Sequence, residues 1–272
     1  MISGLKPKAV IFVTAFLTIS FIGLPSALAG LKEDEGSLVR TGIPILVYHR
    51  FGPVVADGMT VTTRQFESHV KYLREGGYAV IPLRHLVDYH IGKRKALPSP
   101  CLAITVDDGH KSVYTDLFPL IKKYKIPVTL FLYPSAISNA SYAMTWDQLR
   151  EIQTSGLLDF QGHTYWHPNF KHERKKLSPR DYENFVEMQL KKSKEKLEKE
   201  LGTKVDMLSW PFGIYDEELI RKAVEIGYVS AFTIERHHAK PSDPVMALPR
   251  YLITDADQGK AFEKVVRGSP CS

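Results

Sequence analysis

Hydrophobic residues follow two rhythms along this chain. Short unbroken apolar runs at 43–48, 78–81, 102–106, 128–133, 157–161, 205–209 and 228–233 predict buried strands. Between them, apolar residues recur every three or four positions, which predicts helices at 64–75, 83–89, 113–124, 146–154 and 217–226. Phe66, Val70 and Leu73 share one face of the first of these, and Gly76-Gly77 closes it. The longest helix is predicted over 179–201, where Ser178 suits the N-cap, Pro179 the first helical position and Gly202 the exit. Its Tyr182, Val186, Leu190, Leu197 and Leu201 keep helical spacing. The stretch 191–200 mixes both charge signs, and a solvated face explains it more simply than a basic functional patch.

Strand and helix alternate in this way with no long linker or low-complexity stretch. The alternation predicts an α/β protein of one domain, with a mostly parallel sheet closed into a barrel or a distorted barrel.

Ahead of the first strand, Lys6 and Lys8 precede an uncharged apolar stretch, 9–24, and Ala27-Leu28-Ala29 follows Pro25 and Ser26. This order matches a secretory signal peptide over residues 1–29, followed by a polar leader to residue 42 and the main domain over 43–272. The alternative is an uncleaved anchor, for which the apolar run is a little short. The chain has 272 residues, a net charge of +6, 44% hydrophobic and 24% charged residues. That composition excludes a collagen-like chain, an acidic disordered tail and a disulfide-stapled miniprotein. Removing residues 1–29 takes away two lysines and no acid, leaving 243 residues at +4, an excess too small to require a nucleic-acid partner. Export implies a secreted, periplasmic or cell-surface protein with no membrane span after cleavage. It also places Cys101 and Cys271 where they are able to pair, although a buried thiol at 101 and a loose terminal Cys271 is the simpler reading.

Candidate chemistry stands at the C-terminal ends of four predicted strands: His49, Asp107-Asp108, His163 and Trp210-Pro211-Phe212-Gly213. In α/β barrels reactive groups collect on that edge. His163 and His167 are four residues apart; on a helical turn this spacing puts both imidazoles within reach of one divalent ion, with a carboxylate completing the set. Taken alone, a surface pair fits the spacing as well. Asp107 and Asp108 would repel each other at the end of a buried strand unless a cation or proton compensates. A solvated Asp-Asp-Gly turn is the alternative, and the apolar approach at 104–106 argues against it. His69, His85, His90, His172, His237 and His238 read as surface or partly buried side chains.

Thr105-Val106-Asp107-Asp108-Gly109 and His163-Thr164-Tyr165-Trp166-His167-Pro168, in this order and at this distance, resemble the two leading motifs of the NodB-type polysaccharide deacetylases, carbohydrate esterase family 4. The resemblance covers nearly all of the chain after the leader. It implies a distorted (β/α) barrel that uses a divalent metal ion, zinc with cobalt or nickel as alternatives, to remove acetyl groups from sugar polymers. It further implies Asp107 as general base and Asp108, His163 and His167 as metal ligands. The family's Leu-x-His motif is missing, since the corresponding stretch reads Ala247-Leu248-Pro249-Arg250. Pro44-Ile45-Leu46-Val47-Tyr48-His49 is instead similar to the first strand of the poly-β-1,6-N-acetylglucosamine deacetylases, in which motif order is permuted and this histidine is the acid. Where many members carry an arginine that holds the base, this chain has Ser209-Trp210-Pro211-Phe212-Gly213, which leaves open the cation that orients Asp107. Arg250 is a candidate, and a surface arginine is an equal reading. Trp210 and Phe212 either wall the sugar or pack in the core.

The expected function is metal-dependent N-deacetylation of an N-acetylglucosamine-containing polysaccharide, with poly-β-1,6-N-acetylglucosamine first. Peptidoglycan, chitin oligomers and acetylated xylan are alternatives, as is a non-catalytic polysaccharide-binding module. The expected partner is the acetylated polymer alone, bound by a monomer.

Overall fold

The apolar runs become strands of one parallel sheet. The computed structural model describes residues 42–268, together with Met1 and Gly4. Its strands are β1 (Ile45–Tyr48), β2 (Arg50–Gly52), β3 (Thr60–Thr62), β4 (Ala79–Val80), β5 (Cys101–Asp108), β6 (Val128–Leu132), β7 (Leu158–Gly162), β8 (Met207–Ser209), β9 (Ser230–Phe232) and β10 (Tyr251–Leu252). The sheet runs β10-β1-β5-β6-β7-β8-β9, with β4 also on β5 and β2-β3 as a separate parallel pair. A single parallel bridge, Phe232 to Leu248, links β9 to the chain ahead of β10, so the barrel closes incompletely. This is the distorted parallel barrel expected from the alternation and the motifs.

The helices are α1 (Thr63–Glu75), α2 (Leu83–His90), α3 (Phe118–Tyr124), α4 (Trp146–Gln153), α5 (Phe170–Lys176), α6 (Pro179–Leu201), α7 (Glu217–Ile226) and α8 (Lys260–Arg267). Their ends follow local chemistry. The Ser178 hydroxyl accepts the Asp181 N–H at the start of α6, and Gly202 ends it in the left-handed conformation. Thr145 and Gln148 cap α4 reciprocally. The helix expected over 113–124 is divided: Val113–Leu117 is a π-helical turn, and α3 begins at Phe118 with Pro119, which has no N–H to give, in its first turn.

Side chains alternate between two cores, and the alternation places the chemistry. Leu102, Ile104 and Val106 of β5 pack outward under the helices, while Cys101 and Ala103 belong to a second cluster with Ile45, Phe131, Met207, Phe232 and Leu248 inside the barrel. Cys101 is therefore a buried thiol whose pKa burial raises to about 11; Cys271 lies outside the described residues. So do the expected signal peptide and leader, apart from Met1, Gly4 and Gly42. Among the described residues no helix is long and apolar enough to cross a membrane. Two histidines depart from expectation: His69 is buried, stacked on Phe262 with centroids 3.8 Å apart and hydrogen-bonded to the Tyr48 hydroxyl and the Asp257 carbonyl, and His238 is buried with its Nε2 hydrogen-bonded to the Val265 carbonyl at 3.0 Å.

Candidate active site

Continuing the interior phase of each strand to its C-terminal end gives His49 after β1, Asp107 on β5, Tyr133 after β6, His163 after β7, Ser209 on β8 and Ile234 after β9. Five of these six line one cavity of about 360 Å³, together with Asp108, His167, Trp210 and Phe212. Ser209 sits directly behind it, bonded to Asp107. A period-two pattern thus converges side chains that are far apart in sequence.

Asp107 is 2% exposed and clamped. Arg250 donates from Nη1 to Oδ1 at 2.8 Å and from Nη2 to Oδ2 at 2.7 Å, and the Ser209 hydroxyl donates to Oδ2 at 2.8 Å. Burial would raise the Asp107 pKa, but the Arg250 charge and hydrogen bonds, with His163, outweigh it and hold the carboxyl well below the usual range. Arg250 is fully buried, not a surface arginine. Its Nε donates to the Thr233 carbonyl and its Nη1 also to the Thr105 hydroxyl. The cation that sequence reasoning left open therefore comes from the segment entering β10, and Ser209 fills part of the space between it and Asp107.

Strict alternation would send Asp108 outward under the helices. Its φ of 75°, followed by Gly109 at 78°, breaks the phase and turns the carboxylate to the cavity mouth. There Asp108 Oδ1 lies 3.7 Å from His163 Nε2 and 3.8 Å from His167 Nε2. Its pKa is raised by burial, with a contribution from the Asp107 charge.

His163 and His167 do meet, but not on a helical turn. Residues 163–169 form an irregular loop in which Thr164 and His167 have φ of 63° and 60°. Gln189, fully buried on α6, accepts the N–H groups of Tyr165 and Trp166 and holds this loop in place. Sequence reasoning missed Gln189; its one signal was a polar residue on the apolar stripe of the longest helix. The His163 Nδ1–H donates to the Ser209 carbonyl at 2.7 Å, which leaves the Nε2 lone pair facing the cavity. Burial lowers the His163 pKa to about 3 and lowers that of His167 as well, so both imidazoles are neutral donors near pH 7. One ligand atom from each of Asp108, His163 and His167 lies within 4.8 Å of the other two. Two neutral nitrogens and one carboxylate oxygen, with the His163 tautomer fixed from behind, fit a divalent ion.

His49 lines the same cavity, and its buried Nδ1 has no hydrogen-bond partner. Trp210 is 1% exposed and donates from Nε1 to the Met246 carbonyl, so it walls the cavity from within the core. Phe212 is 56% exposed and meets the His167 ring edge-on at 4.6 Å.

Residues 94–231 match the sequence model of the family described as polysaccharide deacetylase. The chain belongs to that family. Its members' chemistry makes it a hydrolase of acetyl amide bonds, and the NodB-type resemblance seen in the motifs holds. Poly-β-1,6-N-acetyl-D-glucosamine N-deacetylases of Staphylococcus aureus are 25% identical over 212 residues, covering 76% of this chain and 71% of theirs. The structure of IcaB from Ammonifex degensii aligns with a TM-score of 0.72 at 26% identity, covering 84% of this chain and 98% of that one. The deacetylase PplD of Streptococcus pyogenes shares the fold, with a TM-score of 0.74 at 21% identity over 84% of this chain and 99% of that one. His49 and Arg250 lie outside the residues that match the family, yet His49 lines the cavity and Arg250 bonds Asp107 within it.

Proposed function

We propose that this deacetylase removes N-acetyl groups from an N-acetylglucosamine-containing polysaccharide, with poly-β-1,6-N-acetylglucosamine the polymer that similarity to the Staphylococcus aureus enzymes favours. One observation carries the reading: a three-donor cluster, a clamped carboxylate and an imidazole share a single cavity. Asp108, His163 and His167 would hold a divalent ion; zinc suits these donors, and cobalt or nickel are able to replace it. When bound, the ion supplies Lewis acidity toward the acetamide carbonyl and makes water beside it more acidic.

The chain's own groups divide the proton transfers. Asp107 is ionised, and its Oδ1 accepts one hydrogen bond, from Arg250, which leaves it room for the proton of the attacking water. Arg250 and Ser209 fix the orientation of that carboxylate. As water oxygen bonds to the acetyl carbon and the C–N bond breaks, His49 gives a proton to the departing nitrogen, because an unprotonated amide nitrogen leaves poorly. The products are acetate and a free amine on the polymer. Phe212 offers an apolar ring at the mouth for the sugar or the acetyl methyl, and Trp210 supports the wall behind it. The site of action on this reading is the cell surface, the periplasm or the medium, reached through the signal peptide of residues 1–29.

Acetate release tests the proposal. A β-1,6-linked N-acetylglucosamine oligomer, chitin oligomers, peptidoglycan and acetylated xylan are compared with zinc, cobalt or nickel added. The β-1,6-linked oligomer is expected to give the highest kcat/KM. A higher value for any other polymer would overturn the assignment of substrate, and release from none would overturn the activity.

A further inference from the structure

One exposed aromatic ring beside the cavity is held in place by polar contacts and has no part in the chemistry above. Tyr142 is 42% exposed. Its hydroxyl hydrogen-bonds the Tyr133 hydroxyl at 2.8 Å, and the Tyr133 ring lines the cavity and lies 5.4 Å from the His167 ring. The backbone around it is stitched to the residues just after Asp107 and Asp108. The Lys111 N–H donates to the Tyr142 carbonyl at 2.7 Å, the Met144 N–H to the Gly109 carbonyl at 3.0 Å, and His110 bridges Ala143 in antiparallel fashion. The His110 ring lies within 10° of parallel to Tyr142, with centroids 6.3 Å apart, and its Nδ1 is tied to the Ser112 hydroxyl at 2.8 Å.

Hydrophobic burial would favour folding this ring inward. Instead the polar end is satisfied, the backbone is fixed and part of the ring meets solvent, so a ligand would find it already ordered and lose little rotamer freedom on binding. The flat C–H face of a pyranose ring is the complementary surface for such a ledge. We propose that Tyr142, backed by His110, is a stacking platform for a sugar unit next to the one whose acetyl group enters the cavity. The proposal rests on the polysaccharide deacetylase reading above and adds to it a specificity-determining residue. Tyr142 acts on polymers, which extend past the cavity, and not on an isolated acetyl group.

The test compares kcat/KM for a β-1,6-linked N-acetylglucosamine hexamer with kcat/KM for 4-nitrophenyl acetate, which is too small to reach the ledge. In Tyr142→Ala the ratio of hexamer to ester is expected to fall roughly five- to tenfold, and in Tyr142→Phe, which keeps the ring, to stay within about twofold of wild type. A ratio unchanged in Tyr142→Ala, or one that falls as far in Tyr142→Phe, overturns the platform; the second result would assign Tyr142 to holding Tyr133 through its hydroxyl. Hexamer binding to Asp107→Asn protein, with and without Tyr142→Ala, reads the ledge without turnover. A wild type that releases no acetate therefore refutes the activity, while a dissociation constant weakened roughly five- to tenfold by Tyr142→Ala still supports the platform and an unchanged one still refutes it.

Discussion

Both ends of the barrel hold a buried aspartate paired with an arginine, and only one end gathers a reactive site. At the N-terminal end, Asp206 stands just before β8, 2% exposed, bound by Arg84 and by Lys204 at 2.7 Å. Two cations answer one carboxylate there. Nearby Asp159 has its oxygens on the Gln161 amide, and no imidazole lines that pocket. At the C-terminal end Arg250 answers Asp107 alone, while Asp108 beside it has neutral imidazoles in place of a cation. The negative charge left over, next to open space, distinguishes a site that would take up an ion from one that merely holds strands together.

The largest test of this contrast is His163→Ala, which removes a donor from the cluster. It is expected to abolish stoichiometric metal in elemental analysis and to cut acetate release roughly 10³-fold; retained metal would break the contrast. Next comes Arg250→Ala. Leaving Asp107 buried without its partner should cost about 3–5 kcal/mol of stability in denaturant titration, and roughly 10²-fold in turnover. Arg250→Lys, with a single-point charge in place of a fork, should recover part of the stability and less of the turnover.

At the other end Asp206→Asn should lower stability by about 1–2 kcal/mol, since Arg84 and Lys204 keep access to water, with turnover within about twofold of wild type. A tenfold fall in turnover would show that the two ends are coupled. A further effect is expected in acid. Burial lowers the His69 pKa from 6.5 to about 4, so the native protein stays neutral there while the unfolded chain takes up a proton. Its contribution is intact above pH 6.5 and is lost as pH falls toward 4, by at most about 1.4 kcal/mol per pH unit. The Asp206 pKa is lowered despite burial because Lys204 and Arg84 hold the charged form, so its contribution persists until pH falls below 3.8. Melting between pH 7 and 5 should therefore drop less in His69→Gln than in wild type; equal slopes would contradict the assignment.

Much of this arrangement was legible in the sequence because it depends on local patterns. Apolar runs marked the main strands, and caps such as Ser178 and Gly202 marked α6 to the residue. The acidic pair and both site histidines stood out at strand ends. The strands β2, β3 and β10 span only two or three residues, too few for any period to show, and they exist through pairing alone. Helices α5 and α8 were missed as well: α5 buries only Phe170, so it shows no apolar stripe, whereas Phe262, Val265 and Val266 of α8 keep helical spacing and were legible. Arg250 was only a candidate and Gln189 only a polar residue on an apolar stripe, because their burial follows from what the barrel packs around them. The alternation of each strand, carried one residue past its end, would have added Tyr133 and Ser209 to the site. It would have misplaced Asp108, whose positive φ breaks the rule at the point where the carboxylate must turn to the mouth.

The central claim is that Asp107 works as the base beside an ion it does not itself bind. Metal content and acetate release measured on the same preparation of Asp107→Asn test it most directly. Metal retained as in wild type, with turnover of a β-1,6-linked N-acetylglucosamine oligomer reduced roughly 10²- to 10⁴-fold, is the predicted result. Turnover equal to wild type would contradict it.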